Sequence, residues 1–403
     1  MERIKDMEQK NLGNEIEKVY KFLDDVAGES EWLIHNADNC GVIYFPHNIM
    51  NVCDVDAQNI HHCELPRLYH SPLPTTGIDL NEEVVQECME DRALFLAVPT
   101  DKGLRVIPLE STGRAFTHLL NRDGDLCGMM TAEAKTSAVD PLPPEERARR
   151  LNDDLQRHHN PMTILVRWGK VHALLSKDYT ILDMGDLLRT CVTALEEKYE
   201  SVKLASSTWD HEYFNARFDV EDELFAEEVK DTLSKLGISA DEVGVKFFFY
   251  SSDVGMASAT GRIYLTVDGQ DMFLPGGAVQ GAEVRHYGAT SVTLFEEGLK
   301  KYLENAGQID LEKIEKLGNT PVNDITKVMK DCQEKFKAVL PKELTETVVA
   351  EYVLKNSNAG TAIDCYMCAN AIVCRSIAQK GGHTRDAVNA MNALAKIANY
   401  LIG

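Results

Sequence analysis

The sequence predicts an α+β fold: a central antiparallel sheet with flanking helices and a C-terminal helical subdomain. Three observations carry that expectation. Apolar strand runs meet at tight turn signals, Gly169-Lys170 and Asp268-Gly269. Those runs are followed by helices and do not alternate with them, which argues against βαβ units. From Pro321 onward the apolar spacing is helical throughout.

The elements follow in order. Ile16, Val19, Tyr20 and Leu23 form a helical stripe that Gly28 is placed to end, giving an N-terminal helix within residues 1–30. Residues 31–131 are a mixed α/β segment. It has short strand runs at 41–45 and 94–98, dense turn residues at 71–77 and a short helix at 111–120. Residues 132–146, with Pro141, Pro143 and Pro144 and no apolar period, read as a linker. An α+β core spans 147–305. Its strand runs at 162–168 and 171–175 make a hairpin, and Asp183 is placed to cap a helix faced by Met184, Leu187, Leu188, Cys191, Leu195 and Tyr199. Residues 219–228 hold six acids and no base, as a solvated helix face does. Strands follow at 243–250, 262–267, 271–274 and 279–287, then a helix at 291–303. In the helical subdomain, 321–403, a stripe from Val322 to Val339 should stop at Pro341. Residues 361–378 are apolar nearly all round, as in a helix buried within a bundle, and Val388, Met391, Leu394, Ile397 and Leu401 face the core from a last helix.

Composition bounds the function classes. The 403 residues carry 42 Lys+Arg against 64 Asp+Glu, a formal charge of −22, with 44% hydrophobic residues. Such a chain can bury a core, and no apolar run approaches the length of a membrane span. A charged N-terminus without an apolar signal core, and ten thinly spread cysteines, predict a cytoplasmic protein with reduced thiols. The acidity argues against a broad nucleic-acid-coating surface and leaves room for a local basic groove.

Enzyme signatures of strong mechanical content are missing: no phosphate-cradling P-loop, no dinucleotide fingerprint, no H-E-x-x-H and no G-x-S-x-G elbow. No catalytic residue is therefore assigned, and a non-enzymatic protein is favoured. A zinc site would draw on Cys53, His61, His62 and Cys63, together with His70, with His35, His47 and Cys40 upstream. The spacing lacks a paired C-x-x-C frame, so ordinary histidines and buried thiols are preferred and no cofactor is expected. Cys365 and Cys368 form a C-x-x-C inside an apolar helical stretch, where core packing is preferred over redox chemistry.

Two segments invite ligands. Residues 275–288 are glycine-rich and end in Arg285 and His286, an anion fork and a titratable donor that strand alternation sends to opposite faces. Ser251-Ser252-Asp253-Val254-Gly255 follows a buried strand, but neither serine has an identifiable base. The best strip for a phosphate backbone and a stacking base comprises Arg147, Arg149, Arg150, Arg157, Arg167, Trp168 and Lys170.

Gly169-Lys170-Val171-His172-Ala173-Leu174-Leu175-Ser176-Lys177-Asp178-Tyr179 followed by Leu182-Asp183, then Val243-Gly244-Val245 through Ser251-Ser252-Asp253-Val254-Gly255, then Arg285-His286-Tyr287-Gly288, stand in an order that resembles a phage/plasmid-like protein family of unknown function. The resemblance covers roughly residues 105–300. His172 stands where that family usually has Arg, and Pro275-Gly276-Gly277 replaces its Cys-x-Asn-Gly. The resemblance implies a protein of a phage, a plasmid or a bacterial host. With the basic strip it leads to an expected function in DNA metabolism, as an oligomeric single-stranded-DNA-binding or recombination accessory factor. The partners would then be single-stranded DNA or a DNA-handling protein, with no membrane. The alternative is a protein-interaction or structural factor, a virion component or a modulator of host defence, acting through its acidic surface.

Overall fold

The computed structural model describes residues 10–36, 39–44, 94–100, 103–108, 144–157, 161–168, 170–210, 213–273, 282–305, 308–379 and 384–403. The fold is α+β with antiparallel strand pairing. The chain divides into two compact units, one of Met1–Leu23 with Thr180–Gly403 and one of Asp24–Tyr179. The division falls inside the span read from sequence as one core, 147–305, because the hairpin in its first part pairs with a strand near residue 30.

In the unit of Asp24–Tyr179, strands β2 (Ser30–Asn36), β6 (Pro161–Arg167) and β7 (Lys170–Ser176) form one antiparallel sheet. β3 (Gly41–Tyr44), β4 (Leu94–Thr100) and β5 (Gly103–Pro108) form a second. After α1 (Ile16–Gly28), the expected N-terminal helix, the next described helix in the chain is α2 (Pro144–Arg157). It opens on a proline, which suits a first turn that needs no N–H, so the last three residues of the expected linker are helical. Its Ala148, Leu151 and Leu155 share a core with Val42, Leu96, Val98, Met162, Ile164 and Leu174. Asn152 on the same face is buried, and its amide imitates a strand: Oδ1 accepts from Val42 N and Nδ2 donates to Val42 O at 2.9 Å. Replacing one partner of such a buried pair costs about 1–3 kcal/mol.

The other unit is built on a seven-stranded sheet, order β1-β8-β9-β10-β11-β12 with β13 also on β11. Its strands are β1 (Lys10–Gly13), β8 (Val202–Trp209), β9 (Phe214–Val220), β10 (Val243–Ser251), β11 (Ala259–Val267), β12 (Gln270–Met272) and β13 (Ala282–Val284). Asp268 (φ 49°) and Gly269 (φ 76°) make the expected two-residue hairpin turn between β11 and β12. On one sheet face Phe214, Ala216 and Phe218 of β9 lie beside Val245, Phe247 and Phe249 of β10. This face packs under helices, with Phe249 5.8 Å from Phe295 of α5 (Val292–Asn305). Each such phenyl ring contributes about 1.5–3 kcal/mol on burial. Helix α3 (Met184–Lys198) packs with α5, and Asp183 caps it by accepting from Asp186 N at 2.8 Å, as its position predicts. Asp222 caps α4 (Glu223–Lys235) in the same way and leaves Glu223, Glu227 and Glu228 in solvent.

The C-terminal helices are α6 (Gln308–Asn319), α7 (Ile325–Lys335), α8 (Lys342–Lys355), α9 (Ala362–Gln379) and α10 (Thr384–Ile402), with the short pair β14 (Pro321–Val322) and β15 (Gly360–Thr361). The stripe from Val322 to Val339 is helical only over α7, which ends at Phe336, five residues before Pro341. That proline opens α8 and does not stop α7. α9 is buried on most sides, and its polar residues hold the sheet edge: Asn370 accepts from Phe273 N and donates to Asp271 O, and Tyr366 donates to Phe273 O at 2.6 Å. Cys365 and Cys368 are packed in this core, where burial pushes both thiols up to about 12. No described helix is long and apolar enough to cross a membrane.

Candidate functional site

Two of the sequence motifs meet at one end of the seven-stranded sheet. β11 begins between them: Thr260 pairs with Tyr250 of β10 on one side, and Ala259 pairs with Val284 of β13 on the other. Ser251, next along β10, and His286, two residues past β13, are thereby brought together although 35 residues separate them. His286 Nε2 lies 3.3 Å from Ser251 Oγ, and its Nδ1 lies 3.3 Å from the carbonyl oxygen of Thr180. A carbonyl can only accept, so Nδ1 carries the proton and Ser251 donates its hydroxyl to Nε2. The sequence offered no base for either serine; the tertiary fold supplies one for Ser251.

The order serine, imidazole, carbonyl is that of an activated nucleophile held by an orienting acceptor. Burial gives it another use. Ser251 and Ser252 are fully buried, and His286 and Asp253 nearly so. Burial pulls the imidazole pKa below its ordinary value against the opposing effects of the Thr180 hydrogen bond and Asp253, which keeps the ring neutral and able to accept. The loop after β13 is pinned a second time by Thr180, whose N donates to His286 O and whose Oγ1 donates to Gly288 O. Gly288 (φ 73°) takes the left-handed conformation at this turn. Met256 N donates to Ser252 Oγ, closing the loop that follows β10.

Pinning His286 inward turns its neighbours outward, as strand alternation predicts. The Arg285 side chain is 81% exposed, with only a loose pair to Glu283 at 3.6 Å, and Tyr287 is 62% exposed. The anion fork and the imidazole therefore serve different sides of the chain, and His286 is not a surface ligand.

The basic strip fares differently. Arg167 does not face solvent: it is buried, and its Nε donates to Ser30 Oγ at 2.8 Å, because it pairs with Ser30 at the end of β6. Arg149 is tied to Asp153 at 3.0 Å along α2, while Arg150 is exposed. The side chains of Arg147, Arg157 and Lys170 lie outside the described part of the structure. Trp168, one residue earlier than the expected turn, forms the tip of the β6–β7 hairpin. It is 42% exposed with φ 50°, a conformation unfavourable for a bulky residue, and meets His172 edge-on at 6.3 Å.

Cys53, His61, His62 and Cys63 lie outside the described residues, among which no group of three or more His, Cys, Asp or Glu is arranged to hold a metal. The chain matches no family model, no curated protein and no solved structure.

Proposed function

We propose that the protein is a non-enzymatic factor of phage or mobile-element DNA metabolism that binds single-stranded DNA, with the 285–288 loop as its contact. One observation carries this reading: Arg285 and Tyr287 stand in solvent on a loop fixed from beneath by His286 and Thr180. A guanidinium for phosphate and an aromatic ring for a base are the groups that single strands require, and a fixed loop lowers the ordering cost of binding. The exposed Trp168 offers a second stacking surface on the other unit.

Fluorescence anisotropy with labelled single-stranded DNA, at low and physiological salt, tests the reading. Tyr287→Ala should weaken binding by roughly 5- to 150-fold, the range for loss of one stacked base. Arg285→Ala should lower the salt slope by about 1. Binding absent at both salts refutes the reading. Arg and Tyr are also the residue types on which protein interfaces concentrate their energy, and the −22 charge suits a basic partner. A protein partner lost with the same two substitutions would favour the interaction factor.

A further inference from the structure

The opposite face of the seven-stranded sheet carries two arginines in one row. Arg217 of β9 and Arg262 of β11 flank Phe248 of β10. Their environments are inverted relative to what solvation demands. Arg217, 30% exposed, lies with its guanidinium 5.4 Å from the centre of the Phe248 ring and pairs with Asp271 at 3.4 Å. Arg262 is only 5% exposed and has no carboxylate within ion-pair distance among the described residues. Its Nη1 donates at 3.0 Å to Oδ1 of Asn392 on α10, a neutral acceptor, and its Nε is buried with no partner. Asn392 therefore uses one end of the guanidinium and leaves the Nε side free. That side, Nε with Nη2, is one of the two parallel-donor edges that match a carboxylate or phosphate oxygen pair.

A buried guanidinium held by one amide costs several kcal/mol relative to the same group in water, unless a charge or further acceptors answer it. Phe248 beside it supplies neither. We propose that Arg262 is the receptor for an oxyanion, a phosphate or carboxylate group bound between β11 and α10, with Asn392 orienting the fork. Because Nε is closed to solvent, the anion enters through a local opening of α10 against the sheet, and binding is slow.

Thermal unfolding of the full-length chain after long incubation reads this directly. Sodium phosphate and sodium acetate are compared with sodium chloride at equal ionic strength and pH. In the wild type, one oxyanion raises Tm saturably above the chloride control, and which of the two does so identifies phosphate or carboxylate as the ligand chemistry. Arg262→Met loses that response. Arg262→Lys keeps the charge without the fork, and its apparent affinity falls at least about tenfold, the loss expected of a bidentate site reduced to a point charge. It serves equally if the methionine variant does not fold. Native mass spectrometry of the purified protein covers a site already filled, through an anion adduct absent from Arg262→Lys. Equal Tm shifts in wild type and variants overturn the proposal, since phosphate also stabilises proteins by exclusion from their surfaces. No shift together with no adduct overturns it as well.

Discussion

Replacing Ser251 by alanine tests whether the pin beneath the 285–288 loop is a hydrogen bond or mere proximity. The substitution removes the hydroxyl that His286 Nε2 accepts and leaves a buried lone pair facing a methyl group. Losing one partner of a buried polar pair costs about 1–3 kcal/mol, and the 3.3 Å separation, long for such a bond, places the expectation near 1 kcal/mol. For a unit of this size that corresponds to about 2–4 °C in Tm. His286→Phe should cost more, because it also abandons the Thr180 carbonyl. Urea unfolding of the wild type, both single variants and the double variant gives the coupling, expected at about 0.5–1.5 kcal/mol. Nitrogen NMR of the imidazole should find the proton on Nδ1. Additivity within about 0.5 kcal/mol, or a proton resident on Nε2, would refute the reasoning.

Further outcomes follow from the same interior. With its folded pKa below the ordinary value near 6.5, His286 binds fewer protons than in the unfolded chain once pH falls under about 6.5. Stability should therefore drop on acidification through that point, by at most about 1.4 kcal/mol per pH unit, and His286→Gln should flatten this part of the pH–stability curve. Gly261→Ala would place a methyl group 2.5 Å from Phe247 Cζ and 3.4 Å from Leu299 Cδ1. An overpacking cost of about 1–3 kcal/mol is expected in chemical denaturation. Cys365 and Cys368, with thiols raised to about 12, should react with a thiol reagent at neutral pH only at the rate of unfolding, whatever the reagent concentration.

Much of the fold was legible in the chain because it is local. Asp183 caps α3, and Asp268-Gly269 turns a hairpin, through contacts that span a few residues. The acidic run at 219–228 is a helix face only from Glu223 onward, where helix spacing puts Glu223, Glu227 and Glu228 in solvent. Asp219 lies on β9 and pairs with Lys246, and Asp222 caps α4. Misplaced elements were those where two local signals competed. The sequence predicts a stop at Pro341, yet α7 ends at Phe336 and the proline is the extended N-cap of α8.

By itself the sequence determined the α+β class, the strand and helix periods, and the opposed directions of Arg285 and His286, all consequences of backbone geometry over neighbouring residues. Only the tertiary structure decided that Arg167 is buried under Ser30, that Ser251 meets His286 across the start of β11, and that Arg262 faces an amide where Arg217 has a carboxylate. These three depend on which strands pair and in what register. Pairing is fixed by burial of whole sheet faces, so no short stretch of sequence carries it.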